Sequence, residues 1–153
     1  MGRMWKTILV PHDFSAGASR AARLAHELAK IHGGRLVFLH VAELPPLVGA
    51  GSAIVPEEGG APISVGDYAV RSAGERLAEL AAEYGTDGVA TSYEAVLGSP
   101  AAEIQTVAGR VGADVIVIGT HGRSGIARAL LGSVAARVMH HSTVPVVSVR
   151  IED

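Results

Sequence analysis

The feature that most constrains this chain is an alternation of short, nearly continuous apolar runs with longer stretches of helical periodicity. Thr7 to Val10, Arg35 to Val41, Val89 to Val96, Asp114 to Ile118 and Val144 to Val149 read as strands. Runs rich in β-branched residues without polar alternation suit strands covered on both faces, the environment of a parallel sheet. Val89 to Val96 is more polar and alternates, as an edge strand does. Pro11 lacks an N–H and marks the end of the first strand.

The intervening stretches read as helices. Ala16 to Ile31 sets Ala18, Ala21, Ala22, Leu24, Ala25, Leu28 and Ala29 at helical spacing, with Gly33 behind it as a natural stop. Asp67 to Tyr84 opens on a capping residue type, carries Ala73, Leu77, Leu80 and Ala81 on one face and ends at Gly85. Ser99-Pro100 is a cap followed by proline at the first helical position, and Glu103 lies near the positive end of that helix dipole. Ser133 to His141 forms the last helix, with Arg137, His140 and His141 toward its negative end. The β-α-β-α-β-α-β-α-β order predicts a three-layer α/β sandwich, with residues 1–153 as one domain. Residues 43–66 are too many for a plain connection. They form either a mobile insertion or a lid or partner surface near a ligand.

Composition narrows the function classes. A formal charge of −2 offers no attraction to nucleic acid or acidic membranes. Six aromatic residues (one Trp, three Tyr, two Phe) do not build stacking platforms for single strands. The absence of cysteine excludes disulfides, thiolate metal sites and a thiol nucleophile. The apolar stretch before Pro11 is too short for a signal segment or a membrane span, so the expected setting is the cytoplasm. Glycine stands out instead, at 19 residues where average usage of about 7% predicts about 11.

Four residues in and behind the fourth strand carry the chemistry. From Asp114 the chain reads DVIVIGTHGRSGIARALLGSVAARV, so a buried strand runs into Gly119, then Gly122, then Gly132-Ser133 opening a helix. Glycines let backbone approach a bulky anion, and a helix start offers unpaired N–H groups and a positive dipole end. Ser133 adds a hydroxyl, while Arg123, Arg128 and His121 lie within the loop. The arginines fit phosphate contact or plain solvation. Asp13 fits a ligand contact or, with Ser15, the cap of the first helix. His140 and His141 point about 100° apart on a helix and do not share one metal ion easily. His26 and His32 are expected at the surface. No G-x4-G-K-[ST] loop, complete dinucleotide fingerprint, G-x-S-x-G elbow or H-E-x-x-H is present.

The spacing G-x2-G-x9-G-S resembles the ATP-binding signature of the universal stress protein family. The likeness runs along nearly the whole chain: Pro11-His12-Asp13-Phe14-Ser15 after the opening strand, Gly98-Ser99-Pro100 before the third helix, and Thr143-Val144-Pro145-Val146 leading the last strand. The resemblance implies a five-stranded parallel sheet of order 3-2-1-4-5, Rossmann-like and similar to the adenine nucleotide alpha hydrolases. It implies ATP, with Mg2+, held at the switch point where neighbouring connections diverge. Asp13 would stand on the ribose side and be the residue to reach a nucleotide-bound Mg2+, with Pro11 also among the binding residues. The Val41 backbone would read the adenine edge. Gly119, Gly122, Gly132 and Ser133 would surround the phosphates, with the Val134 and Ala135 amides assisting; His121 and Arg123, within the same loop, are candidates for phosphate contact from their position alone. Ala135 departs from members that carry a hydroxyl there, a loss of about 0.5–1.5 kcal/mol for one hydrogen bond.

The same resemblance implies a homodimer joined through the last strand, Val144 to Ile151, and a nucleotide-dependent regulatory role in stress. Slow ATP hydrolysis or autophosphorylation is the alternative. It is disfavoured because the lysine cradle and metal-binding aspartate of phosphoryl-transfer enzymes are not recognisable.

Overall fold

The computed structural model describes residues 4–120 and 131–150. The elements are β1 (Thr7–Pro11), α1 (Ala16–His32), β2 (Arg35–Ala42), β3 (Ala53–Ile54), β4 (Ile63–Ser64), α2 (Val65–Tyr84), β5 (Thr91–Leu97), α3 (Pro100–Val111), β6 (Val115–Gly119), α4 (Ser133–His141) and β7 (Val146–Val149). Five of the strands form one parallel sheet of order β5-β2-β1-β6-β7. Counted without the β3–β4 ribbon, this is the order 3-2-1-4-5, with the polar strand β5 at an edge as its alternation predicts.

Two apolar cores sandwich the sheet. Ile8, Val10, Leu36 and Phe38 pack with the alanines of α1 and with Leu77 of α2, while Leu9, Val37, Leu39 and Ile116 pack with Ile104 and Val107 of α3 and Val138 of α4. Successive strand residues point to opposite faces, so each central strand feeds both cores. Ala21, Ala22, Ala25 and Ala29 are almost fully buried, and their small side chains let α1 lie close to the sheet. Leu24, expected on that apolar face, is instead 38% exposed.

Ser15 caps α1 by accepting from Ala18 N–H, and Gly33 closes it in the left-handed conformation with φ 59°. In α2 the cap is Ser64, which accepts from Asp67 N–H at 3.0 Å, not Asp67 itself. The ribbon strand β4 delivers Ser64 in an extended conformation, so the helix begins at Val65 and Asp67 falls in its first turn. Ser99 occupies the cap position of α3 without a side-chain hydrogen bond.

Residues 43–66 are not a bare loop. β3 and β4 pair antiparallel, Gly59 and Gly60 take positive φ between them, and Val65 and Gly66 N–H groups bond to Ser52 and Ala50 carbonyls. His26 is also more enclosed than a surface residue: its side chain is 16% exposed, and its Nε2 lies 3.0 Å from Asp87 Oδ1. Among the described residues, no helix is long and apolar enough to cross a membrane.

Candidate functional site

At the carboxyl end of the sheet, β1 leads to α1 over one face and β6 leads toward α4 over the other. Between them lies a cleft of about 280 Å³. Open parallel sheets place ligands at this position. The amino-terminal residues of three helices reach it: Ser15 and Ala18 from α1, Pro100 and Ile104 from α3, and Ser133 to Ala135 from α4. Neither α3 nor α4 has a side-chain cap hydrogen bond, so their first-turn N–H groups are not claimed that way. Three positive dipole ends converging on one cavity favour an anion there. No Lys or Arg is among the described residues that line it.

Pro11, Asp13, Val41, Gly119, Gly132, Ser133, Val134 and Ala135, each expected at a site from the sequence, all line this cleft. His121, Gly122, Arg123 and Arg128 lie outside the described residues. Residues 43–66 contribute nothing to the lining. Ile104 and Thr120, which the sequence reading passed over, do line it. Ile104 sits one turn into the helix that Gly98-Ser99-Pro100 announces, so that motif was the available signal.

Individual roles sharpen. Asp13 Oδ1 accepts from Ser15 N–H at 3.0 Å and from the Ser15 hydroxyl, so Asp13 steadies the residue that caps α1 while facing the cleft. Gly119 has a packing reason to be glycine. A Cβ there would stand 2.7 Å from the Gly17 carbonyl carbon and 2.8 Å from its oxygen. Ala135 is 3% exposed and belongs to the core between α3 and α4 as well as to the cleft wall.

His12 is buried at 5% exposure. Its Nδ1 accepts from Phe14 N–H at 3.0 Å, which places the proton of the neutral ring on Nε2. Burial pushes the His12 pKa down from 6.5 to about 4, against the opposing pull of Asp13 and with smaller help from His40 and Arg76. The imidazole is therefore neutral at physiological pH. Phe14 adopts φ 64°, a left-handed conformation unusual for an aromatic residue, and turns the chain away from β2. A second groove, which shares His40 and Val41 with the cleft, is also lined by Phe14, Tyr68 and Arg76, and the Arg76 guanidinium lies 3.7 Å from the Phe14 ring centroid.

The fold and cleft define an α/β protein with an anion-favouring site at its topological switch point. The profile of the universal stress protein family matches residues 4–150, and the chain belongs to that family. Universal stress protein MJ0531 of Methanocaldococcus jannaschii is 33% identical, over 96% of this chain and 83% of that protein. The solved structure of protein MJ0577 superposes with a TM-score of 0.79 at 25% identity, covering 99% of both chains. A universal stress protein from Archaeoglobus fulgidus, solved in complex with dAMP, has a TM-score of 0.65 at 25% identity, covering 96% of this chain and 99% of that one.

Proposed function

We propose that the cleft binds an adenine nucleotide, ATP with Mg2+, and that occupancy regulates how this protein meets its partners in a stress response. The observation that carries the reading is the joining, in one cavity, of three helix N-termini with Val41 at the end of β2. Helix N-termini answer the phosphates. An N–H donor beside a C=O acceptor answers the adenine edge, which offers one acceptor and one donor. Asp13 stands where the ribose or a nucleotide-bound Mg2+ would be met, and Gly132 to Ala135 where phosphates would be met. The bound dAMP of the Archaeoglobus fulgidus relative supports an adenylate as the ligand class.

Binding rather than turnover is the reading. Asp13 Oδ1 is engaged by Ser15 and His12 Nδ1 by Phe14 N–H, so each has a structural task. The sequence carries no lysine-bearing phosphate loop. A homodimer through the last strand accompanies this proposal, because β7 pairs with β6 on one side and ends the sheet on the other.

The test is to extract nucleotide from freshly purified protein and to compare wild type with Gly132→Val in ATP calorimetry. The expected result is a copurifying adenylate, with binding lost in the variant while the fold persists. Equal ATP binding by Gly132→Val would overturn the phosphate assignment.

A further inference from the structure

The β1–β2 ladder stops at an unusual place. In a parallel pair, every second residue of a strand turns both of its backbone groups toward the same neighbour. Within β2, Leu36 N–H bonds to Ala90 C=O and Ala42 C=O accepts from Gly98 N–H, so even-numbered residues face β5. Arg35 N–H bonds to Lys6 C=O and Leu39 C=O accepts from His12 N–H at 2.7 Å, so odd-numbered residues face β1. Val41 is therefore next in line to pair with the chain beyond β1. Continuing the pattern, its N–H would donate to His12 C=O and its C=O would accept from Phe14 N–H.

Neither bond forms; two histidine side chains bond both of these partners instead. His12 C=O accepts from His40 Nδ1 at 2.8 Å, and a carbonyl only accepts, so Nδ1 carries the proton. Phe14 N–H donates to His12 Nδ1 at 3.0 Å. The left-handed Phe14 residue turns the chain away, and its ring lies 4.9 Å from that of His40. Among the described residues, Val41's N–H and C=O have no other backbone partner on that side, and Val41 lines the cleft. An unpaired amide and carbonyl beside a cavity are a cost that a ligand offsets.

We infer that His12 and His40 are positioning residues, which hold the β1–β2 ladder open so that the Val41 backbone edge is presented to the cleft. Resting on the adenylate reading above, this makes the two histidines, which also line the cleft, a source of base selectivity that acts through the Val41 edge. Inosine exchanges adenine's donor and acceptor, so the same edge disfavours it. One well-placed donor–acceptor pair discriminates by about 5- to 150-fold, the equivalent of 1–3 kcal/mol.

The experiment uses the full chain and compares wild type, His40→Leu and His40→Asn. Two quantities are read: the ratio of ATP to ITP affinity, and the hydrogen exchange of the Val41 amide in nucleotide-free protein by NMR. Wild type is expected to favour ATP and to exchange the Val41 amide rapidly. Without a donor at residue 40, His12 C=O becomes available to Val41 N–H. His40→Leu should then slow that exchange about tenfold or more and lose most of the ATP preference. The asparagine amide can occupy the Nδ1 position, so His40→Asn should recover much of both properties. A wild-type ratio in His40→Leu with unchanged Val41 exchange would overturn the inference. So would a Val41 amide already protected in nucleotide-free wild type, an outcome that needs no variant to fold. Failure of wild type to bind ATP would instead sink the adenylate reading. The exchange measurement would still decide whether the histidines hold the ladder open.

Discussion

The two ends of β1 are built from the same kinds of backbone group and treat them in opposite ways. At the amino end the backbone groups of Lys6 and Thr7 are paired. Lys6 and Thr7 N–H groups donate to Asp114 Oδ2 at 3.0 and 2.9 Å, Thr7 C=O accepts from Asp114 N–H, and Lys6 C=O accepts from Arg35 N–H. At the carboxyl end, histidine side chains intercept the ladder and helix N-termini point into open space. The amino end spends its polar groups on holding the sheet together, while the carboxyl end keeps some in reserve for a ligand. Changes at the two ends should therefore separate stability from binding.

The largest effect is expected from Gly119→Val. Its side chain would collide with the α1 backbone at Gly17 and Ala18, where even a Cβ comes within 2.7–3.1 Å. Backbone on both sides cannot yield cheaply, and the cost should reach about 3 kcal/mol, the upper end for overpacking. Urea denaturation checks it; wild-type stability in this variant would mean that α1 moves freely against β6.

His12 sets a comparable effect that depends on pH. The folded protein keeps this ring neutral down to about pH 4, whereas the unfolded chain takes up the proton near pH 6.5. The contribution is therefore complete above pH 6.5 and is lost as pH falls from there toward 4. It amounts to about 3 kcal/mol across that window. His12→Asn retains an acceptor for Phe14 N–H but does not titrate, so its stability should fall less steeply between those pH values. Parallel slopes for the two proteins would remove His12 from the account.

Asp114→Ala tests the other end of the strand. It leaves two backbone donors without their carboxylate, and stability should drop by about 2 kcal/mol. ATP affinity of the folded protein should stay within about twofold of wild type, since the site is remote. A parallel loss of affinity would show that the ends are not separable. The smallest expected effect is a gain: Ala135→Ser restores a hydroxyl at the cleft wall and should tighten ATP binding by about 1 kcal/mol. Because Ala135 also belongs to a core, calorimetry should be paired with a melting curve.

Much of this was legible in the sequence, for identifiable reasons. Buried parallel strands write themselves as β-branched runs, and Gly33 and Gly85 mark real helix ends. The residues of the cleft were foreseen where a motif names them, as with Asp13, Gly132 and Ser133. Three things were hidden because they depend on how distant segments meet. Ser64 displaced Asp67 as a cap once β4 had formed. Gly119 reads in the sequence as a glycine that lets backbone approach a phosphate, although its neighbour in space is Gly17, about a hundred residues away in the chain. His12 and His40 acquire their task only from the β1–β2 register, which no local pattern encodes.

The most direct test of the central claim is a pair of calorimetric titrations of the wild-type protein, one with ATP and one with ITP. A cleft that reads the adenine edge through Val41 predicts saturable ATP binding, with ITP weaker by about fivefold or more. No heat at millimolar ATP, or equal affinity for the two nucleotides, would contradict it.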